Sequence, residues 1–163
     1  MTITTYCRRR RSAGFTMVEL LVTIAIATIL ATVAIPSFSA LIASQRAKAA
    51  ASELFASFLT ARSDAIVRNA NVTVSPLAGG WNLGGWQILD PANNVLDSHG
   101  AVPGVTITPS PLGSTVTFRP SGRVLIGSTN FFVVTTVSGS THNYQCISLN
   151  LNGRPSQQAA NAC

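Results

Sequence analysis

The sequence predicts an α+β protein: a long N-terminal helix, membrane-spanning in its first half and amphipathic in its second, packed on a C-terminal antiparallel β domain. Three observations predict it. Residues 15–35 (FTMVELLVTIAIATILATVAI) are apolar with a single charge, Glu19. Residues 36–68 keep a helical period, and beyond Asn69 the chain breaks into short β-branched and aromatic runs separated by Gly, Pro, Asn and Ser. A chain of 163 residues with only 10% charged residues and a mean hydropathy of +0.35 is neither disordered nor a polar tail.

The boundaries follow from composition. Residues 1–14 (MTITTYCRRRRSAG) form a short basic leader without acidic residues. Residues 15–35 would span about 32 Å as a helix, which matches the ~30 Å hydrocarbon core of a bilayer. Arg8, Arg9, Arg10 and Arg11 would hold the preceding end in the cytoplasm, placing residues 36–163 on the far side. The net charge of +6 rests largely on this run; without it seven basic residues face five acidic, a net charge of +2. The overall basicity is therefore a weak argument for a polyanionic partner.

Within the helical region, Phe55, Phe58, Leu59 and Ile66 make one apolar stripe expected to pack on a sheet. Asp64 and Arg68 form an i,i+4 pair in the favourable order. Pro36 should kink the combined helix rather than end it. Six strands are predicted: 71–75, 86–89, 105–108, 115–119, 131–137 and 143–149, with Ser138-Gly139-Ser140-Thr141 as a hairpin connection. The pairs Gly79-Gly80 and Gly84-Gly85 flank Trp81 in a loop suited to seating one or both tryptophans.

Glu19 is the residue that needs a reason. A carboxylate inside an apolar span costs roughly 2.5–3.5 kcal/mol on insertion scales, which an ordinary signal peptide has no cause to bear. Two export readings nevertheless compete: a secretory signal cut after Ala34, leaving a secreted periplasmic β protein that begins near Ile35, and a twin-arginine signal built on the arginine run.

Gly14-Phe15-Thr16-Met17-Val18-Glu19 resembles the cleavage junction of the type IV pilin family, in which a leader ends in Gly and is followed by Phe-Thr-x-x-Glu and a long apolar helix. The resemblance implies cleavage after Gly14 by a prepilin peptidase, N-methylation of Phe15, and packing of residues 15–35 in a filament core. Glu19 would pair with the freed Phe15 amine of a neighbouring subunit and set the axial register. Further along, Leu59-Thr60-Ala61-Arg62-Ser63-Asp64-Ala65, Gly85-Trp86, Pro103-Gly104-Val105, Phe118-Arg119-Pro120-Ser121-Gly122-Arg123 and Asn152-Gly153-Arg154 are similar to the GspH/FimT group of minor pilins and pseudopilins. That likeness implies the pilin fold, a non-enzymatic structural role near the tip of a type IV pilus or type II secretion pseudopilus, other pilins as partners, and an inner-membrane location before assembly.

Cysteine usage agrees with export. With Cys7 in the leader, Cys146 and Cys163 either remain free thiols or form a disulfide closing an 18-residue loop, which would contribute about 3 kcal/mol in an oxidising compartment. His99 and His142 lie far apart, lack ligand spacing with the cysteines and read as surface histidines, so neither a metal nor a cofactor is expected. No G-x-S-x-G element or acid–base pair suggests a catalytic residue.

Some pilus-associated members of the group bind DNA through a C-terminal Gly-Arg-x-Arg element. Here the corresponding stretch is Gly153-Arg154-Pro155-Ser156, in which Ser156 replaces the second arginine. Arg119 and Arg123, extended by Arg62 or Arg68, would add to Arg154 if they fold beside it. Three phosphate contacts would give a log–log salt slope near −2.7. The net charge of +2 favours solvated arginines or subunit contacts instead.

Overall fold

The computed structural model describes residues 14–163 except 84, 111–114, 126–127, 129–130, 139–140 and 161–162; the side chains of Pro36, Asn82 and Thr141 are likewise left out. Cys7 and Arg8–Arg11 therefore lie outside the described residues. A helix, α1, occupies Met17–Arg68, so the helical assignment continues across position 36. The chain divides into two compact units between Ser37 and Phe38, close to the boundary expected at Pro36.

In the first unit the apolar side chains are exposed: Met17, Val18, Leu21, Ile29, Leu30 and Val33 all remain uncovered. A helical segment this apolar and this exposed is suited to a non-aqueous environment or to other helices. Thr23, Thr28 and Thr32 fit this setting, because each hydroxyl bonds back to the carbonyl three residues earlier, at 2.8, 2.8 and 2.7 Å.

Among the described residues the second unit contains eight strands: β1 (Val72–Pro76), β2 (Trp86–Leu89), β3 (Val95–His99), β4 (Val105–Ser110), β5 (Val116–Phe118), β6 (Phe131–Ser138), β7 (Thr141–Leu149) and β8 (Pro155–Ala160). They form two four-stranded sheets, ordered β3-β2-β1-β5 and β4-β6-β7-β8. Every pairing is antiparallel. The six expected strands are present within a residue or two, while β3 and β8 were not expected. Both are edge strands, and both are polar enough that alternation does not announce them: β3 is Val-Leu-Asp-Ser-His and β8 Pro-Ser-Gln-Gln-Ala-Ala.

The expected aromatic stripe is corrected. Phe58 is fully buried, but Leu59 and Ile66 are about half exposed, at 44% and 50%, and Phe55 is only partly covered. The face of α1 that meets the sheets is instead Ala47, Ala50, Ala51, Leu54, Phe58, Ala61 and Ala65. These positions follow the 3.6-residue period closely. Alanines let the helix axis approach the strands, and Leu54 and Phe58 fill the space that remains. The Asp64–Arg68 pair is corrected too: among the described residues the ion pair is Asp97–His99, and Asp64 and Arg68 do not close to ion-pair distance.

One core joins α1 to both sheets. The Phe58 ring lies 6.5 Å from Phe118 of the first sheet and 5.2 Å from Phe132 of the second. Trp81, in a short 3-10 turn, meets Phe132 edge-on at 5.0 Å. Trp86 is fully buried and donates its indole N–H to the Ser57 hydroxyl at 2.8 Å, while that hydroxyl donates to the Glu53 carbonyl at 3.0 Å. Both tryptophans are thus seated, as the glycine-flanked loop suggests, although Gly84 itself lies outside the described residues.

A disulfide joins Cys146 to Cys163, 17 positions apart in sequence, with Cα atoms 5.8 Å apart. It anchors the end of the chain beyond β8 to β7. Replacing both cysteines by serine is expected to lower stability by about 3 kcal/mol, read as a shift of the urea midpoint of the full chain in detergent. An unchanged midpoint under reducing and oxidising conditions would remove the bridge from the energetics.

Candidate functional site

Two places carry the residues singled out from the sequence: the junction at the start of α1 and a basic surface at one end of the β unit.

At the junction, Gly14 and Phe15 are exposed and non-helical, and α1 begins two residues after Phe15. The Glu19 carboxylate accepts from the Thr16 backbone N–H at 2.9 Å and from the Thr16 hydroxyl at 3.0 Å. The Glu19 N–H in turn donates to the Thr16 hydroxyl at 3.2 Å. This is a reciprocal capping box, which satisfies donors that every helix start leaves open. The spacing Thr-x-x-Glu before an apolar run is its sequence signature, and reading Glu19 only as a misplaced charge overlooks it. The cap fixes where the helix begins and so leaves the Gly14–Phe15 peptide exposed and outside the helix.

The basic surface is built on two tight turns. In the first, the Gly122 N–H donates to the Arg119 carbonyl at 2.8 Å and the Arg119 N–H to the Arg123 carbonyl at 2.9 Å. Arg119 and Arg123 therefore stand opposite one another at the mouth of the turn, and both line a cleft of about 280 Å³ with Ser121, Val124 and Leu151. In the second, the Gly153 N–H donates to the Asn150 carbonyl at 2.9 Å, and the Arg154 N–H to the Asn150 side-chain oxygen at 3.0 Å. Arg154 lines a neighbouring groove with Ser148, Asn150 and Ser156.

The two turns abut. The Val124 N–H donates to the Leu151 carbonyl at 3.2 Å, and a side chain at Gly153 would run into the Gly122 carbonyl oxygen. Gly122 and Gly153 both adopt left-handed backbone, with φ of 72° and 74°, so these positions require glycine on two counts. Arg119, Arg123 and Arg154 are thus carried on adjoining turns. All three are exposed, and among the described residues none has a carboxylate within ion-pair distance.

The other residues fall out differently. Arg62 is not part of an exposed face: it is half-buried and its Nε donates to the Gly122 carbonyl at 3.0 Å. Ser156, in the place of the second motif arginine, shares a 2.7 Å hydrogen bond with Ser148 across β7 and β8. His99 is corrected from a surface turn residue to the half-buried end of β3, stacked on Trp86 at 5.0 Å and 3.2 Å from the Asp97 carboxylate. His142 is exposed on β7, stacked on Tyr144 at 6.1 Å. Among the described residues no three His, Cys, Asp or Glu side chains gather as a metal site.

The comparisons agree with this architecture. No curated protein matches the chain significantly. Two crystal forms of the type IV minor pilin FimU from Pseudomonas aeruginosa share its fold. One superimposes with a TM-score of 0.54 at 19% identity, covering 71% of this chain and 98% of that one. The other gives 0.55 at 18% identity, covering 71% and 93%. Residues 9–35 match the prokaryotic N-terminal methylation motif. Residues 50–153, more than half of the chain, match the family described as type II transport protein GspH. The chain belongs to the GspH family of pilin-like proteins, the minor pilins and pseudopilins.

Proposed function

We propose that this minor pilin or pseudopilin is cut between Gly14 and Phe15 by a prepilin peptidase, N-methylated at Phe15 and held in the inner membrane by residues 15–35. The basic leader stays cytoplasmic and residues 36–163 are periplasmic until the subunit joins the tip of a filament. Its work is assembly, not catalysis. The observation that carries this reading is the junction: an exposed Gly–Phe bond outside the helix, directly before a capped helix whose apolar side chains are exposed. Helix packing supplies affinity, and the Glu19 carboxylate supplies register against a neighbour's Phe15 amine. The mass of the mature N-terminal peptide from the native host tests it. A peptide beginning at methylated Phe15 supports the pathway, whereas a start near Ile35 would make residues 1–34 a discarded signal and end the filament reading.

A second reading is favoured by the unneutralised arginines on the two adjoining turns. Arg119, Arg123 and Arg154 suit contacts to the phosphates of DNA, which bind without reading sequence. Arg154→Ala is expected to weaken retention of duplex DNA and to reduce the salt slope by about 0.9. Ser156→Arg restores the second arginine of the family element. It is expected to steepen the slope by a similar 0.9, measured by fluorescence anisotropy across a salt series. A slope unmoved by either change would assign these arginines to solvent or to subunit contacts.

A further inference from the structure

The basic surface raises a question of support. Three arginines are carried on two turns whose backbones abut, with no carboxylate paired to any of them among the described residues. Beneath them lies a fourth arginine. Arg62 lies on α1, 60 positions before Gly122 in sequence, and its Nε donates to the Gly122 carbonyl at 3.0 Å. The same nitrogen would sit 3.2 Å from a Cβ built on Gly122 and 3.3 Å from one built on Gly153. One side chain therefore underlies both turns, at the point where their backbones touch. The choice of an arginine is informative. A neutral donor could make the same bond, whereas a guanidinium also adds positive potential beneath the surface and would favour an anionic partner.

We propose that Arg62 is the positioning residue of the basic surface: it pins the Gly122 and Gly153 turns together, and so fixes Arg119, Arg123 and Arg154 as one array for a phosphodiester backbone. The pinning stands on the geometry alone; the array's purpose rests on the DNA reading above. Preorganisation of this kind raises affinity by removing the ordering that binding would otherwise require.

The test is Arg62→Lys in the full chain in detergent micelles, which keeps the charge and removes the Nε geometry. Emission from the buried Trp81 and Trp86 verifies that the core is intact. Two quantities are then read: hydrogen exchange at the Gly122 and Gly153 amides, and the affinity and salt slope for a mixed-sequence duplex. The expected result is that both amides lose protection together, that affinity falls by roughly tenfold, and that the slope flattens by about one contact, near 0.9. Were Arg62 only another phosphate contact, lysine would serve nearly as well and the amides would not change; that outcome overturns the proposal. Lost amide protection with unchanged affinity and slope overturns the link from the pin to binding. A duplex that fails to bind even the unaltered chain overturns the DNA reading, and the array's purpose with it. In that case joint loss of protection still establishes Arg62 as the pin between the turns.

Discussion

Phe58→Ala is expected to destabilise the β unit by about 3–5 kcal/mol, the largest stability effect of any single truncation proposed here. The reason is the position of the ring. Phe58 is fully buried on α1 and touches Phe118 in one sheet and Phe132 in the other, so a single side chain closes the contact of the helix with both. Phe132 in turn supports Trp81. Deleting the ring removes its burial and leaves a cavity between three backbone layers, which cannot collapse without moving the helix against both sheets. A domain of this size has about 5–15 kcal/mol of stability in total, so the variant stands near the folding threshold. Urea unfolding followed by tryptophan emission checks it, with Phe58→Leu as the volume-conserving control. A loss below about 1 kcal/mol would mean that the two sheets hold together without this contact.

The same helix illustrates what the sequence discloses and what it does not. The helix and six strands were legible, because β-branched alternation and turn residues mark them plainly, while Gly139 and Ser140 of the expected hairpin connection lie outside the described residues. The core face of α1 was misread. Large apolar residues draw attention, yet Leu59 and Ile66 lie half-exposed while Ala47, Ala50, Ala51, Ala61 and Ala65 are buried. Alanine scarcely registers as hydrophobic in a pattern, but close helix–sheet approach selects it. β3 and β8 escaped for a related reason: each pairs with a partner on one side alone, and so needs little β-forming composition. A signal for β3 did exist, in the Asp90-Pro91-Ala92-Asn93-Asn94 cluster following β2. There the Asp90 carboxylate accepts from the Ala92 and Asn94 N–H groups, both at 2.8 Å. Hydrogen bonds to the Asn94 side chain and backbone hold the Asp90 carboxyl below its ordinary range. At the basic surface, the residues Arg119, Arg123 and Arg154 could be named from sequence. The support beneath them could not, because Arg62 is joined to Gly122 only by the folded chain.

Glu19→Gln and Glu19→Ala are both expected to abolish incorporation into filaments, and the contrast between them separates two roles of one carboxylate. Glu19 caps its own helix through Thr16. Glutamine can still accept from the Thr16 N–H and hydroxyl, so Glu19→Gln keeps the capping box and removes only the charge. Alanine removes both. If the carboxylate matters only as a cap, glutamine assembles normally and alanine loses about 1 kcal/mol of helix-start stability, a modest effect in a helix that runs to Arg68. If it pairs with the Phe15 amine of a neighbour, away from water, its charge is indispensable. Removing one partner of a buried ion pair costs about 3–5 kcal/mol, a loss of roughly a hundredfold or more at each subunit contact. Immunoblots of sheared filaments against membrane fractions read the outcome, and the mass of the N-terminal peptide shows whether the variant is cut at the proposed site. Since the proposed cut between Gly14 and Phe15 precedes the cap, Glu19→Gln is expected to be cut normally and then to accumulate in the membrane. A glutamine variant recovered in filaments at the unaltered level would leave Glu19 as a helix cap and shift the source of axial register to the apolar packing of residues 15–35.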